Sequence, residues 1–491
     1  MDTKDMTNKP SIPNGTGWKL FSFLSKIDTQ NVSIVVIVLL SLQVLMGLFL
    51  RAPNQTELVA LYFGKTVVIR LLGYIGIVVA IIDFYCKVYI HREKCLKWTF
   101  LKRPWNGLFV IILLWALLVG IGVSEDRNLA FFGGAFRYEG YLSYLAYAGI
   151  FISAAQIREE KYRKIIMVIT TVTSTLLAII TILRDLAKWS FLMYRNGQVG
   201  DFSATFINSN HYGYYLCVSM LIIAGLFMVT EKLHWKIVCG VCFTINLIVM
   251  LYNRSLGPYI AISIGLVVFL VFNWIRKGFN KTWPILILVV IFIVFSLFID
   301  GHKMLDDLGL IIQQTTNVID VIGSGGAGSQ EGQHAIDTIG SSRGVLWKNT
   351  IKTIIEHPIV GVGTDSIQLY IDNNIPHNEY LQVGANLGIP GLVVYLAALI
   401  ASFAYMIKNT KKISDGTLIV GIAAFVYCVS AFFGISIPVA TYQLFLFLGL
   451  LVGWFKHRDE ERMNEEALYL LQNKEKTTEE STEQEPIEVS E

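Results

Sequence analysis

Runs of about 20 apolar residues recur along the chain, and they restrict its possible folds more than any other feature. A helix of that length crosses a hydrocarbon core about 30 Å thick, and backbone groups in lipid must find their hydrogen bonds within the protein. Of the 491 residues, 54% are hydrophobic and 16% are charged, whereas about 25% charged residues are usual in soluble proteins. The sequence therefore predicts an all-α, polytopic membrane helical bundle with about 12 transmembrane helices.

The Lys and Arg residues are concentrated on one side of these predicted helices. Segments on the side of the N-terminus carry most of them, although the segments on the other side contain more residues. Because cytoplasmic loops are enriched in Lys and Arg, both termini are predicted to lie inside the cell. This topology gives a cytoplasmic tail at 1–31, a transmembrane domain at 32–456 and an acidic cytoplasmic tail at 457–491. Residues 300–378 would form one large extracytoplasmic loop.

Other bulk properties argue against several classes of protein. The net charge of +3 gives no indication of a nucleic-acid partner. The six cysteines lie in apolar segments or in predicted cytoplasmic loops, which argues against a disulfide framework. Cys239 and Cys242 form a C-x-x-C motif inside an apolar helix, where helix packing is the simplest explanation. The large loop has no Asp-x-Asp motif or His/Asp cluster, so we predict no metal and no cofactor.

Ionisable residues within the predicted helices are rare. Arg70 and Asp83 are the main examples, whereas a transporter normally needs a chain of such groups. Arg70 lies near the outer end of its predicted helix. Its side chain either extends outward to the interface, as long basic side chains do, or binds a lipid phosphate.

Three further arginines lie where outer loops meet the membrane. Arg137 precedes the fourth predicted helix, Arg254 lies in a short outer turn, and Arg343 lies in the large loop. A guanidinium group is permanently charged and binds phosphate oxygens through two parallel hydrogen bonds. One interpretation is that each side chain anchors the protein at the interface. The other is a shared site for a lipid-linked phosphate or diphosphate.

The segment from Ser341 to Gly391 is the longest polar, Gly/Pro-punctuated part of the chain. Residues 342–356 are expected to form a helix that begins after a serine N-cap. Arg343 lies at the start of that helix, and His377 opens the next one. Because a helix N-terminus disfavours imidazolium, His377 is expected to stay neutral, which suits a general base. The alternative is a capping or packing role.

Four segments carry recognisable motifs. FRYEG contains Arg137 in an R-x-x-G pattern, and TFINSNHYGYYL contains Asn210 and His211 in an F-x-N-x-N segment. RGVLWKNTIKTIIEHPIVGVG contains Arg343 in an R-x-x-x-W helix followed by P-hydrophobic-x-G-x-G. PHNEYLQVGANLGIPGLVVYL contains His377 in an H-[NS]-x-x-L…G-hydrophobic-x-G signature. Together they resemble the O-antigen ligase/polymerase family of polytopic bacterial glycosyltransferases, over about residues 130–450.

The resemblance implies a bundle of the GT-C type, whose large outer loop covers a lipid-facing cavity. It also implies a donor, a glycan carried on undecaprenyl diphosphate, and a metal-independent, inverting transfer to an acceptor glycan or glycolipid. In that reaction His377 would take the proton of the acceptor hydroxyl, and Arg343 would hold the leaving diphosphate. The substrate-binding residues would be Arg137, Arg254, Asn210, His211 and Arg70.

Two other classes of function stay open at this point. A lipid-linked glycan transporter or flippase would need a charged path across the bilayer. A non-catalytic organiser of polysaccharide assembly would use the acidic tail to recruit partners. Within the enzyme class, an O-antigen ligase and a surface-polysaccharide polymerase share one chemistry and differ in the acceptor. Each of these functions implies a multi-pass protein of the bacterial plasma (inner) membrane, surrounded by the lipid bilayer.

Overall fold

The computed structural model of the protein is mainly helical in its described part. The described residues are 28–48, 55–85, 104–135, 137–189, 202–206, 208–324, 329–372, 374–455 and 458. The two predicted tails therefore lie almost entirely outside the described residues, as do Cys86 and Cys95. The remaining four cysteines are free thiols, and Cys239 packs into the apolar core as its motif suggested.

The described ranges contain α-helices and short 3₁₀ turns, and no strand occurs within them. The α-helices of six residues or more are α1 (Thr29–Leu42), α2 (Gln55–Tyr85), α3 (Pro104–Gly122), α4 (Arg127–Phe132), α5 (Tyr141–Ala155), α6 (Glu160–Asp185), α7 (Ser209–Val229), α8 (Leu233–Asn253), α9 (Leu256–Lys277), α10 (Ile285–Phe298), α11 (Lys303–Gly323), α12 (Gln330–Glu356), α13 (Glu379–Lys408), α14 (Asp415–Ala431) and α15 (Pro438–Phe455).

These helices confirm the predicted all-α polytopic bundle. In the described part of the chain, eight helices are long and apolar enough to cross a membrane, judged by length and composition. Four shorter apolar helices accompany them: α1, the inner part of α3, α5 and α14. Every predicted apolar run falls on one of these helices. Periodicity and run length alone were sufficient here because a lipid-exposed helix must be apolar over its whole length.

The centre of the bundle is formed by α7 and α15. Their most apolar windows are 89% and 94% buried, whereas the window of the continuous α10–α11 segment is 22% buried. Helices α8, α9 and α14 pack around α7. Apolar side chains of the outer helices, such as Val267 and Val290, are more than half exposed. The outer helices therefore present the surface that lipid would cover.

The large loop folds into two helices and an irregular segment. Helix α11 confirms the amphipathic helix expected near 303–321, and α12 contains the helix expected at 342–356. That helix begins at Gln330, so the predicted start after a serine cap is wrong. Residues with high helix propensity, including Gln330 and Glu331, continue it toward the N-terminus. Helix α12 packs against both α11 and α13, which holds the loop on the bundle.

A break in α13 anchors the irregular segment. Gly388 has φ 71° and ψ 177°, which interrupts the helix. The N–H of Ile389 donates to Pro358 instead of to its own helix, and Pro390 has no N–H to donate. The carbonyls of Ala385 and Asn386 are therefore left without helical partners.

The Gly-rich stretch of the loop uses these two carbonyls. Ala385 O accepts the N–H of Val362 at 2.9 Å, and Asn386 O accepts the N–H of Gly363 at 3.0 Å. Gly363 has φ 105°, a conformation that strongly favours glycine. The P-hydrophobic-x-G-x-G motif thus forms the segment that completes the broken helix.

Helices α2 and α5 approach each other closely through glycine. A Cβ atom on Gly149 would overlap the carbonyl oxygen of Gly73, and one on Gly73 would overlap Ala146. Small residues permit such close backbone contact between membrane helices. This contact fixes α5, which follows directly after the loop that carries Arg137.

We predict that Gly149→Ala lowers the free energy of unfolding by about 1–3 kcal/mol, because the added methyl group forces α2 and α5 apart. Thermal unfolding of the detergent-solubilised protein measures this loss. The matched control is Gly64→Ala on α2, where nothing lies within 4 Å of the new Cβ. Its effect is expected to stay within about 0.5 kcal/mol. Equal losses for the two variants would show that the close contact does not matter.

Candidate functional site around Arg343 and His377

Helix α12 contacts the turn that carries His377. The indole N–H of Trp347 donates to the carbonyl of Pro376 at 2.7 Å, and its ring packs edge-on against Phe432. Arg343 lies one helical turn before Trp347 on the same face. Arg343 interacts electrostatically with His377. The two residues that the sequence singled out are therefore brought together, although 33 positions separate them in the chain.

His377 occupies a strained backbone position at the start of α13. Its φ is 48°, in the left-handed region that few residues other than glycine and asparagine adopt. The next residue, Asn378, caps the helix by accepting the N–H groups of Tyr380 and Leu381 at 3.0 and 3.1 Å. Because Asn378 provides the cap, the imidazole of His377 is not used for capping.

The surroundings of His377 favour its neutral form. Burial is the main cause and the neighbouring Arg343 charge the second, and together they lower the pKa of His377 to about 4. Its imidazole is therefore unprotonated at neutral pH, with a ring nitrogen able to accept a proton. This agrees with the expectation from the helix N-terminus, although burial contributes more than was expected.

The N-terminus of α7 forms a third side of the site. His211 is 8% exposed and interacts electrostatically with His377. Its Nδ1 and the hydroxyl of Tyr62 share a hydrogen bond of 2.6 Å. Tyr214, one turn further along α7, interacts with Arg343. Asn210 lies beside His211, and its backbone N–H donates to the cap residue Asn208 at 2.8 Å.

Arg343 differs from the other arginines that the sequence singled out. No carboxylate among the described residues pairs with its guanidinium group, which interacts electrostatically with Tyr214 and His377. Burial without a counter-ion is unfavourable for a permanently charged group. An anion in this site would restore that lost interaction.

Arg254 is held by the large loop. It donates to both carboxylate oxygens of Asp307 at 2.7–2.9 Å, an exposed, two-point ion pair. Its backbone is left-handed, with φ 55°. The pair ties the turn between α8 and α9 to α11. Some of the N–H donors of Arg254 that could bind a phosphate are therefore occupied by Asp307.

Arg70 and Arg137 organise the loop between α4 and α5. Arg70 donates to the carbonyls of Phe132 and Tyr138 at 2.7 and 2.8 Å. The Nε of Arg137 lies 3.6 Å from the carboxylate of Asp365, which also accepts the N–H of Gly134 at 2.6 Å. Burial raises the pKa of Asp365 to about 6, while Arg137 opposes that shift. Arg70 thus fixes the loop through its backbone carbonyls, and Arg137 connects the loop to the Gly-rich segment.

One segment of the chain matches a known protein family. A family model described as O-antigen ligase matches residues 241–396. Over this segment the chain is similar to O-antigen ligases. No curated protein matches the chain. The matched segment contains Arg254, Arg343 and His377, whereas His211 and Arg137 precede it.

Several residues of this candidate site were missed in the sequence. Tyr62 and Asp365 contact the predicted residues but lie in segments without a motif. Glu139 and Glu379 are each 1% exposed, although both lie inside quoted motifs. The available signal for these two glutamates was the position of an acidic residue directly beside an apolar helix. Within the described ranges, no group of three His, Cys, Asp or Glu residues could hold a metal ion.

We predict that Trp347→Phe destabilises the large loop by about 1–3 kcal/mol. The phenyl ring keeps the contact with Phe432, but the carbonyl of Pro376 loses its donor while staying buried. Thermal unfolding in detergent measures the loss. Trp235→Phe is the control, because Trp235 is 54% exposed on α8 and should change stability by less than about 0.5 kcal/mol.

Proposed function

We propose that this protein is a membrane glycosyltransferase that moves a glycan from undecaprenyl diphosphate to the sugar hydroxyl of an acceptor. The observation that carries the proposal is the neutral His377 beside the unpaired Arg343, inside the segment that matches the O-antigen ligase family. One group can accept a proton and the other can bind a diphosphate. This combination favours group transfer over the two rival functions.

The first part of the proposed reaction uses His377. A ring nitrogen accepts the proton of the acceptor hydroxyl while the hydroxyl oxygen forms a bond to C1 of the donor sugar. The bond between C1 and the diphosphate oxygen breaks with its electron pair, so undecaprenyl diphosphate leaves. A single displacement inverts the configuration at C1. The proton then passes from His377 to water, which restores the base.

The second part of the proposed reaction uses Arg343. Negative charge grows on the diphosphate as it leaves, and a preorganised guanidinium group stabilises that charge. No metal ion is required for this step in our proposal. His211 borders the same site, while Arg137 and Arg254 are held by Asp365 and Asp307 at its periphery. We assign these three residues to binding of the donor or acceptor. Asn210 on α7 and Arg70 on α2 are assigned to support of the neighbouring loops.

The proposed location follows from the distribution of charge. Both termini would lie in the cytoplasm, so the loop at 300–378 and the site would face the outer side of the plasma membrane. The donor would enter from the outer leaflet. Whether the acceptor is a second lipid-linked repeat unit or a different glycolipid separates a polymerase from a ligase. Size analysis of the surface glycan in a deletion strain distinguishes the two.

We predict that His377→Ala lowers glycan transfer by about 10²–10⁴-fold, because a general base contributes that much. Arg343→Lys should lower it about 10–100-fold, since lysine lacks the two-point fork and hydrogen bonds to charged groups contribute about 1.5–3 kcal/mol. Both are measured in membranes with a labelled lipid-linked glycan. The control is His302→Ala, whose side chain is 61% exposed near α11 and should not matter.

The same assay separates the rival functions. Movement of the labelled donor across the bilayer without a new glycosidic bond would favour a transporter. Loss of surface glycan on deletion of 459–491, with transfer in membranes unchanged, would favour an organiser. Transfer by His377→Ala within a few-fold of the wild type would refute the assignment of the base.

The low pKa of His377 predicts the pH dependence of transfer. Since its imidazole becomes protonated only below about pH 4, the base stays active as the pH falls from 7 to 5. The kcat/KM should therefore show no acid limb near 6.5, the ordinary value for histidine. Measurement of kcat/KM between pH 5 and 7.5 tests this. Asp365→Asn serves as control, because a limb near pH 6 that disappears in this variant belongs to Asp365.

A further inference from the structure

Behind the turn of His377 lies a small cavity between membrane helices. It has a volume of about 100 Å³ and lies between α3, α5, α13 and α15. Its walls are mostly apolar, with side chains such as Ile112, Phe151 and Leu387. Glu139 and Glu379 nevertheless border it, and each is 1% exposed. Two acidic residues at such a place require an explanation, because an ionised carboxylate is expensive to bury.

Glu139 belongs to the loop that carries Arg137. One carboxylate oxygen accepts the hydroxyl of Tyr147 at 2.6 Å, and the other accepts the hydroxyl of Ser436. No ion pair to Glu139 is found among the described residues. Arg70 interacts with it electrostatically but donates its hydrogen bonds to two backbone carbonyls and to the hydroxyl of Ser143.

Glu379 belongs to the turn that carries His377, two positions further along the chain. Its two carboxylate oxygens accept the hydroxyl of Tyr395 at 2.8 Å and that of Tyr427 at 3.0 Å. The described residues include no cation that pairs with it. Each carboxyl group thus depends on two hydroxyl groups for its hydrogen bonds.

The two carboxyl groups are joined by a continuous chain of hydroxyl groups. The Tyr427 oxygen lies 2.9 Å from the hydroxyl oxygen of Thr441, which lies 3.1 Å from that of Ser436. Tyr427 contacts Glu379 and Ser436 contacts Glu139. The chain therefore reads Glu379, Tyr427, Thr441, Ser436 and Glu139, and all five are buried.

The number of hydrogens in this chain of hydroxyl groups determines how many protons the two carboxyl groups must hold. Its five members make four oxygen–oxygen contacts, and each contact needs one hydrogen. The three hydroxyl groups supply three hydrogens, so both carboxyl groups in the ionised state leave one contact empty. One proton on either carboxyl group fills the fourth contact, and concerted movement of the hydroxyl hydrogens would transfer it from one end to the other.

We propose that Glu139 and Glu379 hold one shared proton across this chain, and that the chain positions the Arg137 loop and the His377 turn relative to each other. The proposal rests on the glycosyl transfer proposed above for the role of these two segments. Both glutamates act through other residues and are positioning residues. The sharing of one proton also halves the buried negative charge, in an environment where two adjacent carboxylates disfavour each other.

The groups around the pair agree with one proton. Burial raises the pKa of Glu139, in the loop before α5, to about 8. The groups that face Glu139 are Asp365, Arg70, Tyr144, Tyr147 and Glu379, and those that face Glu379 are Tyr214, Tyr380, Tyr395, Tyr427 and Cys428. Arg70 is the one cation among these, and Asp365 pairs with Arg137. The charge of Arg70 therefore offsets one ionised carboxylate of the two glutamates.

A stability measurement tests the shared proton without any assay of transfer. Because the folded state keeps Glu139 protonated up to about pH 8 while the unfolded chain releases the proton near 4.5, stability should fall as the pH rises between these values. Glu139→Gln cannot titrate. The difference in melting temperature, variant minus wild type, should therefore increase by about 3 °C or more between pH 5 and pH 8. Glu356→Gln, 52% exposed, should show no gain.

Transfer assays test the positioning role by combining the two substitutions. In a single variant, the glutamine N–H supplies the fourth hydrogen and the remaining glutamate stays ionised. Each single variant should therefore keep transfer within about fivefold of the wild type.

In the double variant Glu139→Gln/Glu379→Gln, both ends of the hydroxyl chain donate. Five hydrogens then compete for four contacts, and transfer should fall at least about 100-fold below that of the wild type. Tyr427→Phe interrupts the chain and should lower transfer about tenfold. Tyr215→Phe, which removes one buried hydroxyl contact to Thr173, is its control.

These outcomes separate the inference from the proposed function. A double variant whose loss equals the product of the two single losses would overturn the shared proton, as would unchanged pH dependence of melting in Glu139→Gln. If the wild type forms no glycosidic bond at all, the proposed function fails and the positioning role with it. The melting experiment then still decides whether the pair holds one proton.

Discussion

The arrangement of the site depends on the break in α13 at Gly388. Because Pro390 has no N–H and Ile389 donates elsewhere, two helix carbonyls become available, and the Gly-rich segment binds them through its own N–H groups. That docking fixes the end of the large loop against the bundle. The same helix begins with the turn of His377, so one element carries both the anchor of the loop and the proposed base. Helix α12 then reaches the turn through Trp347.

The second constraint is electrostatic. Arg343 is partly buried without a carboxylate partner among the described residues, and its charge contributes to the low pKa of His377. One cation therefore has two effects, since it keeps the imidazole unprotonated and attracts an anion to the same place. The other arginines show the contrast. Arg254 and Arg137 pair with Asp307 and Asp365, and the hydrogen bonds of Arg70 hold the loop before α5.

The prediction of the fold succeeded where lipid imposes a simple rule on the sequence, because apolar run length alone identifies a spanning helix. The motifs also singled out His377 and Arg343, and these two residues interact electrostatically in the structure. The predicted start of α12 was wrong, because a serine caps a helix only if the residues before it are not helical. Glu139 and Glu379 were missed because nothing in their local sequence establishes that both side chains are buried. Their burial depends on α3, α14 and α15, which are distant in the chain.

The sequence by itself determined that the chain is a helical membrane bundle, with motifs similar to those of O-antigen ligases in one polar segment. Local composition is sufficient for this, because helix formation in lipid and short motifs are properties of contiguous residues. Only the tertiary structure decided which arginine is without a counter-ion, which histidine neighbours it, and that two glutamates share one chain of hydroxyl groups. Each of these facts depends on what surrounds a side chain in space. Burial, charge pairing and hydrogen-bond connectivity arise between segments that the sequence keeps apart.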